Sequence, residues 1–284
     1  MTHYFGAHYD SSCDSFIEAA KKIKLAGGNL IQIFLTCPSN KEAHKKNMDN
    51  LIEFKNYLIE NNMKVVVHSS YTHNIARNWT KHSFWIINIM LELEYCHIIS
   101  ALCLVLHFGK KLELPLQEAY NNMYTSLLYI HNNTKLYSDV VIALETSSGA
   151  GTECMTTIND LAYFYSKFSN NQHQEIKNRI KICLDTCHIY QSGFTKLENK
   201  NDVKEFLKLW DKKIGINNIK VVHLNNCVYK FNSHRDVHAN IESGYINENA
   251  LKHFYKFFKK KNIPIILETP NHGYREEINM LKNI

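Results

Sequence analysis

Proline and glycine are sparse in this chain, 4 and 10 of 284 residues. Collagen-like and low-complexity architectures are therefore excluded, and no Pro/Gly/Ser-rich stretch divides the chain into two domains. Long hydrophobic runs are also lacking. The most apolar stretches, Ala101 to Leu106 and Ile263 to Leu267, fall far short of the roughly 20 residues that span a bilayer. No membrane association is expected. The start Met1-Thr2-His3-Tyr4-Phe5-Gly6 has no basic segment leading into an apolar one, so no secretory signal is expected and an intracellular, soluble protein follows. Charge of one sign is not in marked excess: 33 Lys+Arg against 27 Asp+Glu give +6, which permits a polyanionic partner without arguing for one. The 8 cysteines show no dense spacing, which excludes a disulfide framework and leaves reduced, buried thiols. Cys183-x-x-x-Cys187 resembles a zinc pair only superficially, because Cys183 sits within a strand-like run.

What the chain does have is 16 histidines and 45% hydrophobic residues, the latter enough at this length for a substantial core. Eight short runs rich in Val, Ile and Leu recur along it: Tyr4–Ala7, Leu30–Phe34, Lys64–Val67, Leu102–Leu106, Val140–Leu144, Ile180–Leu184, Ile219–Val222 and Ile263–Leu267. Most are continuous rather than alternating, as strands covered on both faces require. Amphipathic stretches fill the gaps. Asp14 to Ala26 stops at Gly27-Gly28, His82 to Ser100 behaves similarly, and Asn249 to Lys261 carries Leu251, Phe254 and Phe258 along one stripe. Eight β-then-α units predict an α/β fold: a closed (β/α)8 TIM barrel, a single domain over residues 1–284. A doubly wound open sheet is the runner-up, disfavoured because no Gly-x-Gly-x-x-Gly follows the first strand.

The residues that end the strands are the decisive pattern. Val65-Val66-Val67 leads to His68, Leu104-Val105-Leu106 to His107, and Ile142-Ala143-Leu144 to Glu145. Ile182-Cys183-Leu184 leads to Asp185, Lys220-Val221-Val222 to His223, and Ile265-Ile266-Leu267 to Glu268. One such ending is ordinarily a helix cap or a core histidine. Six in one register converge on the C-terminal mouth of a barrel, where active sites are built. Three His and three carboxylates suit zinc or manganese. Asp185-Thr186-Cys187-His188 and Asp236-Val237-His238 bring the candidates to nine, too many for one tetrahedral ion and enough for a multinuclear site with a shared carboxylate. Such sites serve displacement at phosphorus. A nucleophilic Cys187 beside His188 is disfavoured, since neighbours on a turn point apart.

These motifs resemble the endonuclease IV family of apurinic/apyrimidinic endonucleases, over nearly the whole chain. The most specific pieces are Ile182-Cys-Leu-Asp-Thr-Cys-His188, His68-Ser-Ser-Tyr71, and His223-Leu-Asn with Asp236-x-His238. The resemblance implies three zinc ions, with manganese admissible at one site. His68, His107 and Glu145 would hold the first; Glu145 as a bridge, Asp185, His223 and Glu268 the second; His188, Asp236 and His238 the third. It also implies hydrolysis of the phosphodiester 5′ to an abasic site in duplex DNA to leave a 3′-hydroxyl, with trimming of blocked 3′ ends. Glu145 and Glu268 are the expected catalytic carboxylates, and the enzyme is expected to act as a monomer in a DNA-containing compartment.

The sequence departs from the family where DNA is handled. The loop after the second strand, Thr36 to Lys41, lacks the family's inserted Arg. Tyr71 is followed by Thr72 rather than a bulky apolar residue. Asn226 stands where an acidic residue is usual, and Val237 where Arg or Asn is usual. Tyr71 is the expected stacking wedge. Lys110, Lys111 and Arg235 are the leading phosphate contacts, with Lys41, Lys45, Arg77, Lys230 and Arg275 also in loops of that face. The run Lys256 to Lys261 is expected at the opposite end of the barrel as a solvated helix terminus. Two other readings stand beside this one: a metal-dependent sugar isomerase or epimerase on a related barrel, and a DNA-binding relative with weakened catalysis. Histidines outside the nine, such as His44, His97 and His131, are expected on the surface or on helices.

Overall fold

The computed structural model describes residues 3–9, 15–35, 45–270 and 274–284. Eight parallel strands close into a barrel: β1 (Phe5–His8), β2 (Leu30–Phe34), β3 (Lys64–His68), β4 (Cys103–His107), β5 (Val141–Glu145), β6 (Ile180–Asp185), β7 (Ile219–His223) and β10 (Ile265–Leu267). Their order runs β1-β10-β7-β6-β5-β4-β3-β2, each paired with its neighbour. Helices α1 (Phe16–Leu25), α2 (Met48–Glu60), α3 (Phe84–Ile98), α4 (Leu116–Asn133), α5 (Ile158–Ser169), α6 (Gln174–Arg179), α7 (Thr186–Gln191), α8 (Lys200–Lys213), α9 (Glu248–Lys260) and α10 (Tyr274–Lys282) surround it. A short antiparallel ribbon, β8 (Asn226–Cys227) with β9 (His238–Ala239), interrupts the loop after β7.

Local chemistry explains the boundaries. Ser15 caps α1 by accepting from Glu18 N–H, the first half of a capping box. Several strands run a residue beyond the predicted end because the ligand-type residues themselves belong to the ladder: His107 pairs with Glu145 and Asp185 with His223. The last strand starts later than predicted, at Ile265, because Pro264 has no N–H to give. Gly6 is required where β1 meets β2, since a Cβ there would sit 1.7 Å from Leu30 O.

The core has two compartments. Leu30, Val66, Cys103, Val105, Ala143, Cys183, Val221 and Ile266 fill the barrel interior. A larger cluster, including Val65, Val67, Leu104, Leu106, Trp85 and Phe164, packs the strands' outer faces against the helices. The six described cysteines are all free and buried, as predicted; Cys13 and Cys37 lie outside the described residues. Among the described residues no helix is long and apolar enough to cross a membrane.

Candidate metal centre

Alternation along the strands aims the strand-end residues inward. Side chains two apart share a face, so His68 follows the interior Val66, His107 follows Val105, Glu145 follows Ala143, Asp185 follows Cys183, His223 follows Val221 and Glu268 follows Ile266. The remaining three come from the segments that follow β6 and β7 on the same mouth. His188 lies in α7, whose N-cap is Asp185: Oδ1 accepts from His188 N–H at 2.8 Å. Asp236 and His238 come from the β8–β9 ribbon, whose base Asn226 pins. The Asn226 side chain is buried, donates to Ile241 O and Ile246 O, and accepts from Cys227 N–H and Ile246 N–H.

The nine side chains form three groups whose ligand-type atoms lie within 4.8 Å of one another: His68, His107 and Glu145; Glu145, Asp185, His223 and Glu268; and His188, Asp236 and His238. Glu145 belongs to two of them. Its Oε2 faces His68 Nε2 at 3.1 Å and His107 Nδ1 at 3.5 Å, while Oε1 faces His223 Nδ1 at 2.8 Å. In the third group Asp236 Oδ1 lies 3.0 Å from His188 Nε2 and 3.3 Å from His238 Nε2. Both nitrogens are buried and neither is aligned for a hydrogen bond. Cys183 and Cys187 lie beside the centre, each near two of its carboxylates or imidazoles. Burial raises the Cys183 thiol well above its ordinary range, and the Cys227 hydrogen bond with burial raises Cys187, so both are held as thiols.

Four imidazoles have one ring nitrogen occupied by an acceptor that is not one of the ligand-type atoms. His68 Nδ1 donates to Ser69 O at 2.7 Å, His188 Nδ1 to Thr146 O at 2.6 Å, and His238 Nδ1 to Glu268 O at 3.2 Å; His223 Nε2 donates to Gln32 Oε1 at 2.8 Å. Each leaves its other nitrogen facing the carboxylates. That is the outer arrangement typical of metal-ligating histidine. Asn225 serves the carboxylates similarly, donating to Asp185 Oδ2 and accepting from Glu268 N–H.

Among the described residues no Lys or Arg pairs with Glu145, Asp185, Asp236 or Glu268. The charge is balanced within the cluster instead. Burial opposes a charged His238, but the Asp185, Asp236 and Glu268 carboxylates outweigh it and hold its pKa at about 9. Burial likewise opposes the charged forms of His188 and His223, yet neighbouring groups raise both well above the ordinary imidazole value. Burial would neutralise Glu145 too, but His107 and His223 hold it well below the usual carboxylate range. A cluster so dependent on imidazolium for neutrality is one in which divalent cations can take the place of protons.

Tyr71 is 64% exposed and rises at the rim, its ring 5.2 Å from Phe34, 5.5 Å from His68 and 5.9 Å from His107. Lys110 follows Gly109, which has φ +92° and backs onto Asn74. Asn74 accepts from Lys110 N–H and donates to Lys110 O, so the loop is anchored while the side chain stays half-exposed, 4.0 Å from Glu153. Lys111 points along its own loop to Leu112 O. The Arg235 guanidinium lies over the Tyr229 ring at 4.6 Å. Lys45, Arg77, Lys230 and Arg275 all occupy loops or helix starts on this face. Lys41 and the loop Thr36 to Lys41 lie outside the described residues. The Lys256–Lys261 run ends α9 at the opposite face, as predicted.

Two expectations need correction. His73 is neither on the surface nor on a helix: it is buried in the loop after β3, bonded to Ser69 Oγ and Asn88. His8 ends β1 beside Gln32, facing the mouth. Gln32 also contributes to the mouth, although its residue type is not a metal ligand. It is fully buried and touches His8, His223 and Glu268. Its signal was its parity with Leu30, two residues before it on the interior face.

Fold and mouth together define a xylose isomerase-like TIM barrel, and the family of that description matches residues 20–284. A "Probable endonuclease 4" of Metamycoplasma arthritidis is 33% identical over 287 residues, covering 97% of this chain and 98% of that protein. Another, of Mycoplasmopsis synoviae, is 38% identical over 77% of this chain and 75% of its own. The crystal structure of endonuclease IV from Thermus thermophilus superposes with a TM-score of 0.81 at 21% identity, over 99% and 98% of the two chains. The chain belongs to the endonuclease IV family.

Proposed function

We propose that the protein is a zinc-dependent apurinic/apyrimidinic endonuclease of base excision repair. It would hydrolyse the phosphodiester 5′ to an abasic site in duplex DNA, leave a 3′-hydroxyl, and trim blocked 3′ ends. The observation that carries this reading is Glu145, which turns one oxygen toward His68 and His107 and the other toward His223. A carboxylate split in this way suits two neighbouring cations, and the His188, Asp236 and His238 group suits a third. The nitrogen and oxygen donors and the tied outer nitrogens fit zinc, with manganese admissible at one site. Bound there, divalent cations supply Lewis-acid charge on phosphate oxygens and activate water at neutral pH.

The residues themselves perform the positioning. Glu145 and Glu268 keep negative charge at the centre of the mouth, held low by His107 and His223 and by His223 respectively, against the effect of burial. Asp185 caps α7 with one oxygen and keeps the other toward His223 and His238. Tyr71, backed by Phe34, offers a ring on which an unstacked base or sugar can rest. Lys110, Lys111 and Arg235 offer cations to phosphates around the mouth.

A sugar isomerase or epimerase on the same barrel needs about four ligands around one or two ions, and leaves His188, Asp236 and His238 without a purpose. A DNA-binding relative without catalysis has no use for so complete a donor set. The deciding experiment incubates the protein with a duplex bearing one abasic site, before and after prolonged chelation, with bound metal counted. Incision 5′ to the lesion by the metal-replete protein alone is expected. Intact strands with a full metal complement would overturn the assignment.

A further inference from the structure

We propose that Gln32 is a positioning residue that fixes which nitrogen of His223 and which oxygen of Glu268 face the middle cation site, an inference that rests on the metal-centre reading above. Gln32 is fully buried on β2, a strand that supplies none of the nine ligand-type side chains.

The direction of its amide follows from its neighbours. Glu268 Oε1 faces Gln32, and a carboxylate oxygen accepts, so the group facing it is the amide nitrogen. The second N–H of that nitrogen meets His8 Nδ1 at 3.1 Å. Gln32 Oε1 is thereby turned to His223 Nε2 at 2.8 Å. An amide oxygen only accepts, so Nε2 carries the hydrogen. Nδ1 is then the nitrogen left to the cluster, 2.8 Å from Glu145 Oε1 and 3.1 Å from Glu268 Oε2. The donation to Oε1 also leaves Glu268 Oε2 as the oxygen turned toward His223.

His223 differs here from its neighbours. His68, His188 and His238 are held by backbone carbonyls of Ser69, Thr146 and Glu268, which no substitution removes. His223 is held by a side chain, and the same side chain holds Glu268. One substitution therefore loosens two groups of a single site and leaves the other sites alone.

The test uses the full-length protein loaded with zinc, in wild-type form and as Gln32→Leu and Gln32→Glu. Zinc affinity is read by competition with a chromophoric chelator, and the His223 ring N–H by its proton resonance and its exchange with solvent. Wild type should bind three zincs and show a slowly exchanging Nε2–H. Gln32→Leu should weaken one zinc by ~10–100-fold, leave two unchanged, and lose the protection of that N–H. Gln32→Glu should keep the protected N–H, because a carboxylate accepts from Nε2, yet still weaken the zinc, because it cannot donate to Glu268 and adds like charge. This second variant decides the matter if Gln32→Leu does not fold. Three zincs of unchanged affinity in the variants of a three-zinc wild type would overturn the inference alone. A wild type that takes up no zinc would overturn the metal-centre reading, and the inference with it.

Discussion

Glu145 Oε1 stands 2.8 Å from His223 Nδ1, although the two residues end strands separated in the barrel by β6. Its other oxygen faces His68 and His107. Gln at this position preserves the shape and removes the charge that two cation sites would share. Glu145→Gln should lower cleavage of an abasic duplex by ~10³-fold or more, about 4 kcal/mol of transition-state stabilisation. Bound zinc should fall from three to one. Full cleavage by a three-zinc Glu145→Gln protein would show that the shared role belongs elsewhere.

The third group separates from the other two in a second variant. His188 and His238 converge on one oxygen of Asp236, whose side chain, 37% exposed, is the most accessible of the nine. Asp236→Asn should remove one zinc and leave two. Turnover should drop while affinity for the abasic duplex changes little, the signature of a group whose effect is felt in the transition state. Loss of all three zincs would mean that the groups are not independent.

Most of this centre was legible because a barrel strand has period two and a closed interior. Once Val66, Val105, Ala143, Cys183, Val221 and Ile266 point inward, the residues two further on must as well. Gln32 obeys the same parity after Leu30 but is not a metal-ligand type, so nothing in its chemistry singled it out. Thr146 escaped for the same reason, and Asn225, though part of the His223-Leu-Asn segment, carried no role of its own, both being partners of ligand-type residues rather than members of the set. The β8–β9 ribbon pairs only two residues on each side, too few for any periodicity. Asn226 read as a lost acidic residue, whereas its amide ties the base of that ribbon with donors that a carboxylate lacks.

Lys110 should contribute to phosphate binding without reading sequence. Its backbone is fixed on both sides by Asn74 and its side chain is half-exposed. Lys110→Ala is expected to weaken binding to all duplexes about equally and to flatten the dependence of log K on log salt by ~1. An unchanged slope would remove Lys110 from the footprint.

Tyr71 tests how this chain manages a lesion with Thr72 beside it in place of a bulky apolar residue. The exposed ring leans on Phe34 and His68, so it is braced rather than free. Stacking of a base on an aromatic ring contributes ~1–3 kcal/mol. Tyr71→Ala should therefore raise KM for the abasic duplex by ~5-fold or more, and Tyr71→Phe should restore most of it. Equal KM values for all three proteins would exclude the ring from substrate contact.

His73 predicts an acid-sensitive step that does not depend on metal. Ser69 Oγ gives its single hydrogen to Glu92 Oε2, so it accepts from His73 Nδ1–H at 2.7 Å. Nε2 then keeps its lone pair toward the Asn88 amide, 3.3 Å away. The neutral ring is thus satisfied at both nitrogens, and a proton on Nε2 would face the Asn88 N–H. Burial lowers its pKa to about 4 from the ordinary 6.5. The unfolded chain therefore binds the extra proton first. The stabilisation is fully present above pH 6.5 and is lost as pH falls toward 4, by roughly 3 kcal/mol in all. In chelated protein the melting temperature should drop across that window by roughly 2–4 °C for each kcal/mol. His73→Gln, which carries no titratable ring, should flatten the drop, and parallel curves for the two proteins would assign the acid sensitivity to another group.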